Sequence, residues 1–179
     1  MTDLAQPAYV IREATLDDVD QIYGIWREGL KQSLGTADLP STDNRGHFER
    51  LVREQDHNFK IFVADSGDKG ILGFQGLAPF RANPITRHLM AESSTYIRPD
   101  SMKANVGRDL AFHALRHADG SEIQFVVAYI AITNERTLIA AQRAGFQLVG
   151  YLPKNTKTSG GAPLAYLAYP AGSWASEGS

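Results

Sequence analysis

The chain has 179 residues, 43% of them hydrophobic and 21% charged, and a net charge of −2. That is enough for one domain with a sizeable core, and it lacks the basic balance that marks nucleic-acid or anionic-membrane partners. The absence of cysteine excludes disulfides, thiolate nucleophiles and cysteine metal sites, and leaves the redox compartment unspecified.

The start MTDLAQPAYV has no basic n-region and no apolar h-region, so no signal peptide is expected. No apolar run is long enough to cross a bilayer, and a cytoplasmic location is the default expectation. Residues 1–8 are expected to form a flexible lead. Tyr9–Ala14 reads as a strand. TLDD from Thr15 resembles a capping box with acids in the first turn. Val19, Ile22, Tyr23, Trp26 and Leu30 then follow a helical period. Gly35–Ser41 is a loop, and Asp43–Gln55 is a second helix with Phe48, Leu51, Val52 and Gln55 aligned.

Phe59–Asp65 and Ile71–Ala78 read as two strands, and SGDKG between them predicts a hairpin. Phe80–Leu89 is a loop. Ala91–Ile97 is a strand, and Val106–Ala118 a helix. Ile123–Ile132 is apolar on both faces, which fits a central, doubly covered strand. Thr137–Ala144 is a short helix that Gly145 can end. Phe146–Leu152 and Leu164–Tyr169 are the last strands, and the tail 171–179 is expected to fray. The order β-α-α-β-β-β-α-β-α-β-β predicts a single mixed α/β domain over residues 9–170, with helices on both faces of one sheet.

The stretch Ala91–Leu115 carries the chemistry. A strand holding one acid, Glu92, leads through a loop of small side chains into a helix. A helix start has unpaired N–H groups and a partial positive charge, so it can hold a phosphate or pyrophosphate. Glu92 shares a face with Ser94 and Tyr96 by alternation. His113 and His117 lie four apart, which is metal-ligand spacing, but no third ligand is evident and both are expected to pack or face solvent. Ser94 stands in no nucleophile elbow and is expected to serve packing.

These features resemble the GNAT superfamily of acyl-coenzyme A-dependent N-acyltransferases over residues 9–169. AESSTYIRPD, followed by VGRDL, resembles its acidic strand and cofactor turn. VVAYIAITNERT resembles the next strand and its Asn-bearing turn. AAQRAGFQLVGYLP resembles its helix-to-strand passage. Within the superfamily the chain is most similar to the phosphinothricin acetyltransferase branch. The resemblance implies a GNAT fold with a mixed, mostly antiparallel sheet. It implies acetyl transfer from acetyl-coenzyme A to a primary amine of a small amino-acid-like molecule, with no metal. The alternative is a catalytically degenerate GNAT-fold binding or interaction module. The oligomeric state stays open, a homodimer included.

The resemblance also implies site residues. Glu92 becomes the general base, acting through water, because the attacking amine must lose a proton. Amides near Tyr96 and Ile97 polarise the thioester carbonyl. Lys103, Ala104, Asn105, Val106, Gly107 and Arg108 form the pyrophosphate site, and Asn134 reaches the pantetheine arm or caps the next helix. The first two helices and the loop between them shape the acceptor pocket, and Leu30–Leu39, including Gln32 and Ser33, is the stretch expected to contact the substrate.

Two departures stand out. The superfamily's turn places Arg or Gln, then Gly, then Gly or Ala where this chain has Met102, Asn105 and Gly107. Gly107 is expected to let the pyrophosphate approach, and Asn105 is the next most tolerant residue for a left-handed backbone. Lys103, Arg98 or Arg108 supplies the charge that Met102 lacks. Many relatives carry a Tyr or His on the following helix that protonates the leaving thiolate. Counted from Asn134, that position is Ala141.

Overall fold

Apolar residues on both faces of the middle strands require helices on both sides of the sheet. The computed structural model describes residues 9–34, 44–81, 83, 86–102, 105–154 and 162–173. Its elements are β1 (Val10–Glu13), α1 (Val19–Leu34), α2 (Asn44–Arg53), β2 (Lys60–Asp65), β3 (Ile71–Pro79), β4 (Met90–Ile97), α3 (Val106–Asp119), β5 (Phe125–Ala131), α4 (Glu135–Arg143), β6 (Gln147–Leu152) and β7 (Leu164–Pro170). This is the expected order. The proposed lead 1–8 and the tail beyond Ser173 lie outside the described residues.

The seven strands run β1-β2-β3-β4-β5-β7-β6. All neighbours are antiparallel except β4 and β5. Helices α1 and α2 cover one face, where Val19, Ile22, Ile25, Phe48 and Val52 pack on Ile61, Val63 and Phe74. Helix α3 covers the other, where Leu110, Ala114 and Leu115 pack on Phe62, Leu77 and Val126, and Leu138 and Ala141 of α4 join the same layer. The β2–β3 hairpin closes through Ser66 N–H donating to Gly70 O, 3.1 Å.

Three expectations need adjustment. β5 is central and sealed toward α3, and on its other face Val127 is fully buried while the residues to either side of it on that face are not. Phe125 is 43% exposed and Tyr129 is half-buried, because no residue of β5 belongs to the core under α1 and α2. Helix α4 starts at Glu135, two residues early, because Asn134 caps it by accepting from Thr137 N–H at 3.3 Å. A 3-10 turn, Leu16–Asp18, precedes α1, with Thr15 and Asp18 forming the expected capping box. Helix α4 does end at Gly145, whose φ is +98°.

Candidate active site

The site begins where two strands part. β4 and β5 pair in parallel only at Met90–Phe125, Ala91–Val126 and Glu92–Val127. Beyond Glu92, β4 keeps its partner β3 through Ile97, and β5 keeps β7 through Ala131. The facing edges of the two strands are therefore open from Ser93 onward.

Backbone alternation decides what the open edge presents. Phe80 N–H donates to Met90 O and Arg98 N–H to Leu72 O, so even-numbered residues of β4 bond β3. In an antiparallel pair the intervening residues then turn their N–H and C=O away from that partner. Those are Ser93, Thr95 and Ile97. Of the two amides expected to polarise a thioester, Ile97's faces the split. Tyr96's faces β3 instead, and its side chain does the work described next.

Glu92, Ser94 and Tyr96 share the α1/α2 face and line a cavity of about 590 Å³, together with Trp26, Phe48 and Phe74. Tyr96 stacks on Phe74 at 5.3 Å between centroids, and Trp26 meets Phe48 edge-on at 5.3 Å. The Tyr96 phenol is pushed above its ordinary pKa, chiefly by burial. The Trp26 hydrogen bond opposes that shift and the charge of Glu92 adds to it. Gly29 makes room for this ring, since a Cβ there would stand 2.7 Å from Tyr96 Cδ1. Ser94 lines the cavity wall rather than filling the core. Glu92 forms no salt bridge among the described residues.

Helix α3 begins on the far side of β4. Asn105 is its N-cap and has φ +58°, the sole non-glycine residue with positive φ among the described residues. The turn thus keeps its left-handed step with Asn in place of Gly. Asn105 makes no side-chain cap, and the first helical bond runs from Asp109 N–H to Asn105 O, 3.0 Å. The N–H groups of Asn105, Val106, Gly107 and Arg108 therefore have no helical acceptor. Gly107 is the second residue of α3 and has no positive φ; a Cβ added to it would meet Ile97 Cγ1 at 3.4 Å, an ordinary contact, so the packing of α3 on β4 does not itself require glycine here. Arg108 bonds the neighbouring Asp109, 2.9 Å, and Arg98 bonds Asp100, 2.7 Å. Lys103, Ala104 and residues 35–39 lie outside the described residues, and Gln32 and Ser33 fall in the last turn of α1 rather than in the loop after it.

The open strand edge and the uncapped helix start fit a thioester-bearing chain ending in a pyrophosphate. The first supplies N–H groups, and the second supplies N–H groups with positive partial charge. Ala141 packs against the α3-side core and offers no proton. His113 and His117 are packing residues: both rings meet Phe62 edge-on, and a His117 ring nitrogen lies 3.1 Å from Asn58 O. Among the described residues no group of three His, Cys, Asp or Glu converges on a point.

Sequence reasoning missed two features. Arg81 and Arg87 line the cavity, brought there by a loop that carried no periodic signal. Tyr129 stands on the face of Glu92, hidden in an apolar run read as covered on both sides.

The family model described as an acetyltransferase (GNAT) domain matches residues 9–147. No curated protein matches the chain. Several solved structures share the fold. A phosphinothricin acetyltransferase from Sinorhizobium meliloti, in complex with acetyl-coenzyme A, superposes with a TM-score of 0.77 at 20% identity, covering 92% of this chain and 89% of that one. An N-acetyltransferase from Staphylococcus aureus Mu50 gives 0.77 at 23% identity, covering 90% and 98%. A ribosomal-protein-alanine N-acetyltransferase from Brucella melitensis gives 0.76 at 21%, covering 90% and 99%. With its split sheet, its uncapped α3 and a family match over most of its length, the chain belongs to the GNAT acetyltransferase family.

Proposed function

We propose that this protein transfers an acetyl group from acetyl-coenzyme A to the primary amine of a small, amino-acid-like molecule. The observation that carries this reading is the parting of β4 and β5 at Glu92–Val127, which sets an acid at the closed end of an open strand edge and beside a cavity. Acetyl-coenzyme A, when bound, supplies an activated acyl thioester. Ser93, Thr95 and Ile97 orient the arm along β4 through their N–H and C=O groups. The amides from Asn105 to Arg108 hold the pyrophosphate. Glu92 accepts the proton that the amine must shed to expose its lone pair. Fixed N–H donors in the split stabilise charge on the acyl oxygen.

Arg81 and Arg87 support the amino-acid-like acceptor. Both line the cavity, Arg87 lies 5.6 Å over the Phe59 ring, and neither forms a salt bridge among the described residues. A carboxylate suits such a pair. A homodimer is the assembly we favour, because β6 is an edge strand with Leu148, Val149, Tyr151 and Leu152 exposed, and unpaired edges of that kind invite a second copy. Light scattering in solution tests it.

The decisive experiment is a melt with acetyl-coenzyme A, followed by an amine panel read by thiol release. Ligand at 100 times its Kd adds about 2.7 kcal/mol, which for a domain of this size raises Tm by roughly 5–10 °C. A rise without thiol release from any amine would make the chain a binding module. No rise would sink the reading.

The turn supplies a separate check. Asn105→Gly keeps the left-handed step and is expected to leave coenzyme A affinity unchanged. Asn105→Val forces a β-branched residue into it, at a cost of about 1–2 kcal/mol, so calorimetry should show binding weaker by about tenfold. Equal affinity in all three proteins would detach this turn from the cofactor.

A further inference from the structure

The parting strands carry a hydroxyl that the mechanism above does not use. Tyr129 stands two residues beyond Val127, the residue opposite Glu92. Alternation returns it to the face of Glu92, at the point where β4 and β5 separate. Its ring is held in a stack. It lies on Tyr166 of β7 at 5.0 Å between centroids and 17° between planes, and Phe80 flanks it at 6.3 Å. The Glu92 charge reaches this phenol and, after burial and Tyr166, helps keep its pKa above the ordinary value. Tyr129 is therefore protonated at neutral pH. The charge of Glu92 reaches Tyr96 too, but that hydroxyl is bonded to Trp26 in the cavity wall. Helix α4 presents Ala141 where relatives keep an acid.

We propose that the Tyr129 hydroxyl serves the departing sulfur, donating its proton to it while receiving the one that Glu92 has taken from the amine. This inference rests on the acetyltransferase reading. The balance is complete: the acceptor nitrogen bonds to the acyl carbon, the carbon–sulfur bond breaks, and its electron pair leaves on sulfur. The amine proton goes to Glu92, the proton of Glu92 to the Tyr129 oxygen, directly or through one water, and that of Tyr129 to sulfur. Glu92 and Tyr129 end as they began, and the products are the amide and the free thiol.

Acid strengths explain why both groups are needed. A free phenol is a weaker acid than a free thiol (pKa about 10 against about 8.5), and burial with the Tyr166 and Glu92 neighbours weakens Tyr129 further, so Tyr129 alone would face an unfavourable transfer. A carboxylic acid is a stronger acid than either, so a proton arriving by way of Glu92 makes the transfer favourable. A phenolic hydroxyl can donate and accept at once, so the relay leaves no charge on Tyr129.

Tyr129→Phe keeps the stack and removes the relay. We expect kcat to fall by about a hundredfold, the low end for acid–base catalysis because a thiolate leaves readily, with KM for acetyl-coenzyme A and Tm little changed. The second readout needs no turnover: the thiol of bound coenzyme A is titrated by thiolate absorbance. A donor at sulfur lowers that pKa, so Tyr129→Phe should raise it by a measurable fraction of a unit. Tyr166→Phe, which removes a hydroxyl from the same stack, should leave both readouts at wild-type values. Full turnover with an unmoved thiol pKa in Tyr129→Phe overturns the proposal. An equal loss of turnover in both variants, with no thiol shift, assigns the effect to packing and overturns it as well. If the wild type acetylates no amine, the acetyltransferase reading fails, while the thiol titration still judges whether Tyr129 touches the sulfur.

Discussion

Glu92→Gln is expected to lower kcat by about 100- to 10,000-fold, the range of a positioned general base, with little change in Tm. The position separates chemistry from structure. The backbone of Glu92 is fixed on both sides, paired with Ala78 of β3 and Val127 of β5, and that pairing does not depend on the side chain. Its carboxylate points into the cavity with Ser94 and Tyr96. Gln has the same length and still forms hydrogen bonds, but it cannot take a proton from an amine. Half-exposed polar exchanges without a lost partner usually stay within about 0.5 kcal/mol of wild type. Turnover at saturating amine and neutral pH is the measurement. A variant with full kcat would make Glu92 a structural residue. A variant that also melted several degrees lower would show that its carboxylate supports the strand junction.

The order of elements was readable because the apolar periods are clean. Val19, Ile22 and Val52 fall on the α1/α2 core, and Leu110, Ala114 and Leu115 on the α3 core, so helix and strand periods survive in local sequence. Turn chemistry was readable for the same reason. Asn105 is in the left-handed region because few other side chains tolerate it, and Asn134 accepts from Thr137 N–H as a cap. The split of β4 from β5 was not readable. Nothing between Ala91 and Ile97 differs locally from a strand paired on both edges; the opening arises because β5 follows β7 instead. Tyr129 was lost with it. A run apolar on both faces suggests a strand covered twice, but on the α1/α2 side of β5 only Val127 is buried, and Phe125 and Tyr129 on either side of it are not.

Asp18→Ala should destabilise the protein by about 2–3 kcal/mol, below the roughly 3–5 for breaking a fully buried pair because its partner is partly solvated. For a domain of this size that lowers Tm by about 4–12 °C. Asp18 is 4% exposed and accepts from Arg12 Nη1 at 2.7 Å and Nη2 at 2.9 Å, and from Thr15 N–H at 2.8 Å. Arg12 also bonds Asp65 at the end of β2, 2.8 Å from Nη2. Removing one carboxylate therefore leaves a guanidinium half-served and the entry to α1 uncapped. The Arg12 hydrogen bonds hold the carboxyl of Asp18 below its ordinary pKa, and Gly67 N–H with Arg12 does the same for Asp65. A lowered folded value means the stabilisation is whole above the ordinary carboxylate range near 3.9 and is lost as pH falls through the folded value. The gap in Tm between wild type and Asp18→Ala should thus be widest at neutral pH and close only as pH falls below the ordinary carboxylate range and through the lowered folded value. Melts across that range decide it, and a gap that stays constant into acid would show that packing, not the ion pair, holds this corner. The consequence reaches the site. α1 carries Trp26 and Gly29 against Tyr96, so a loosened entry should raise KM for the amine at temperatures where the fold is still intact.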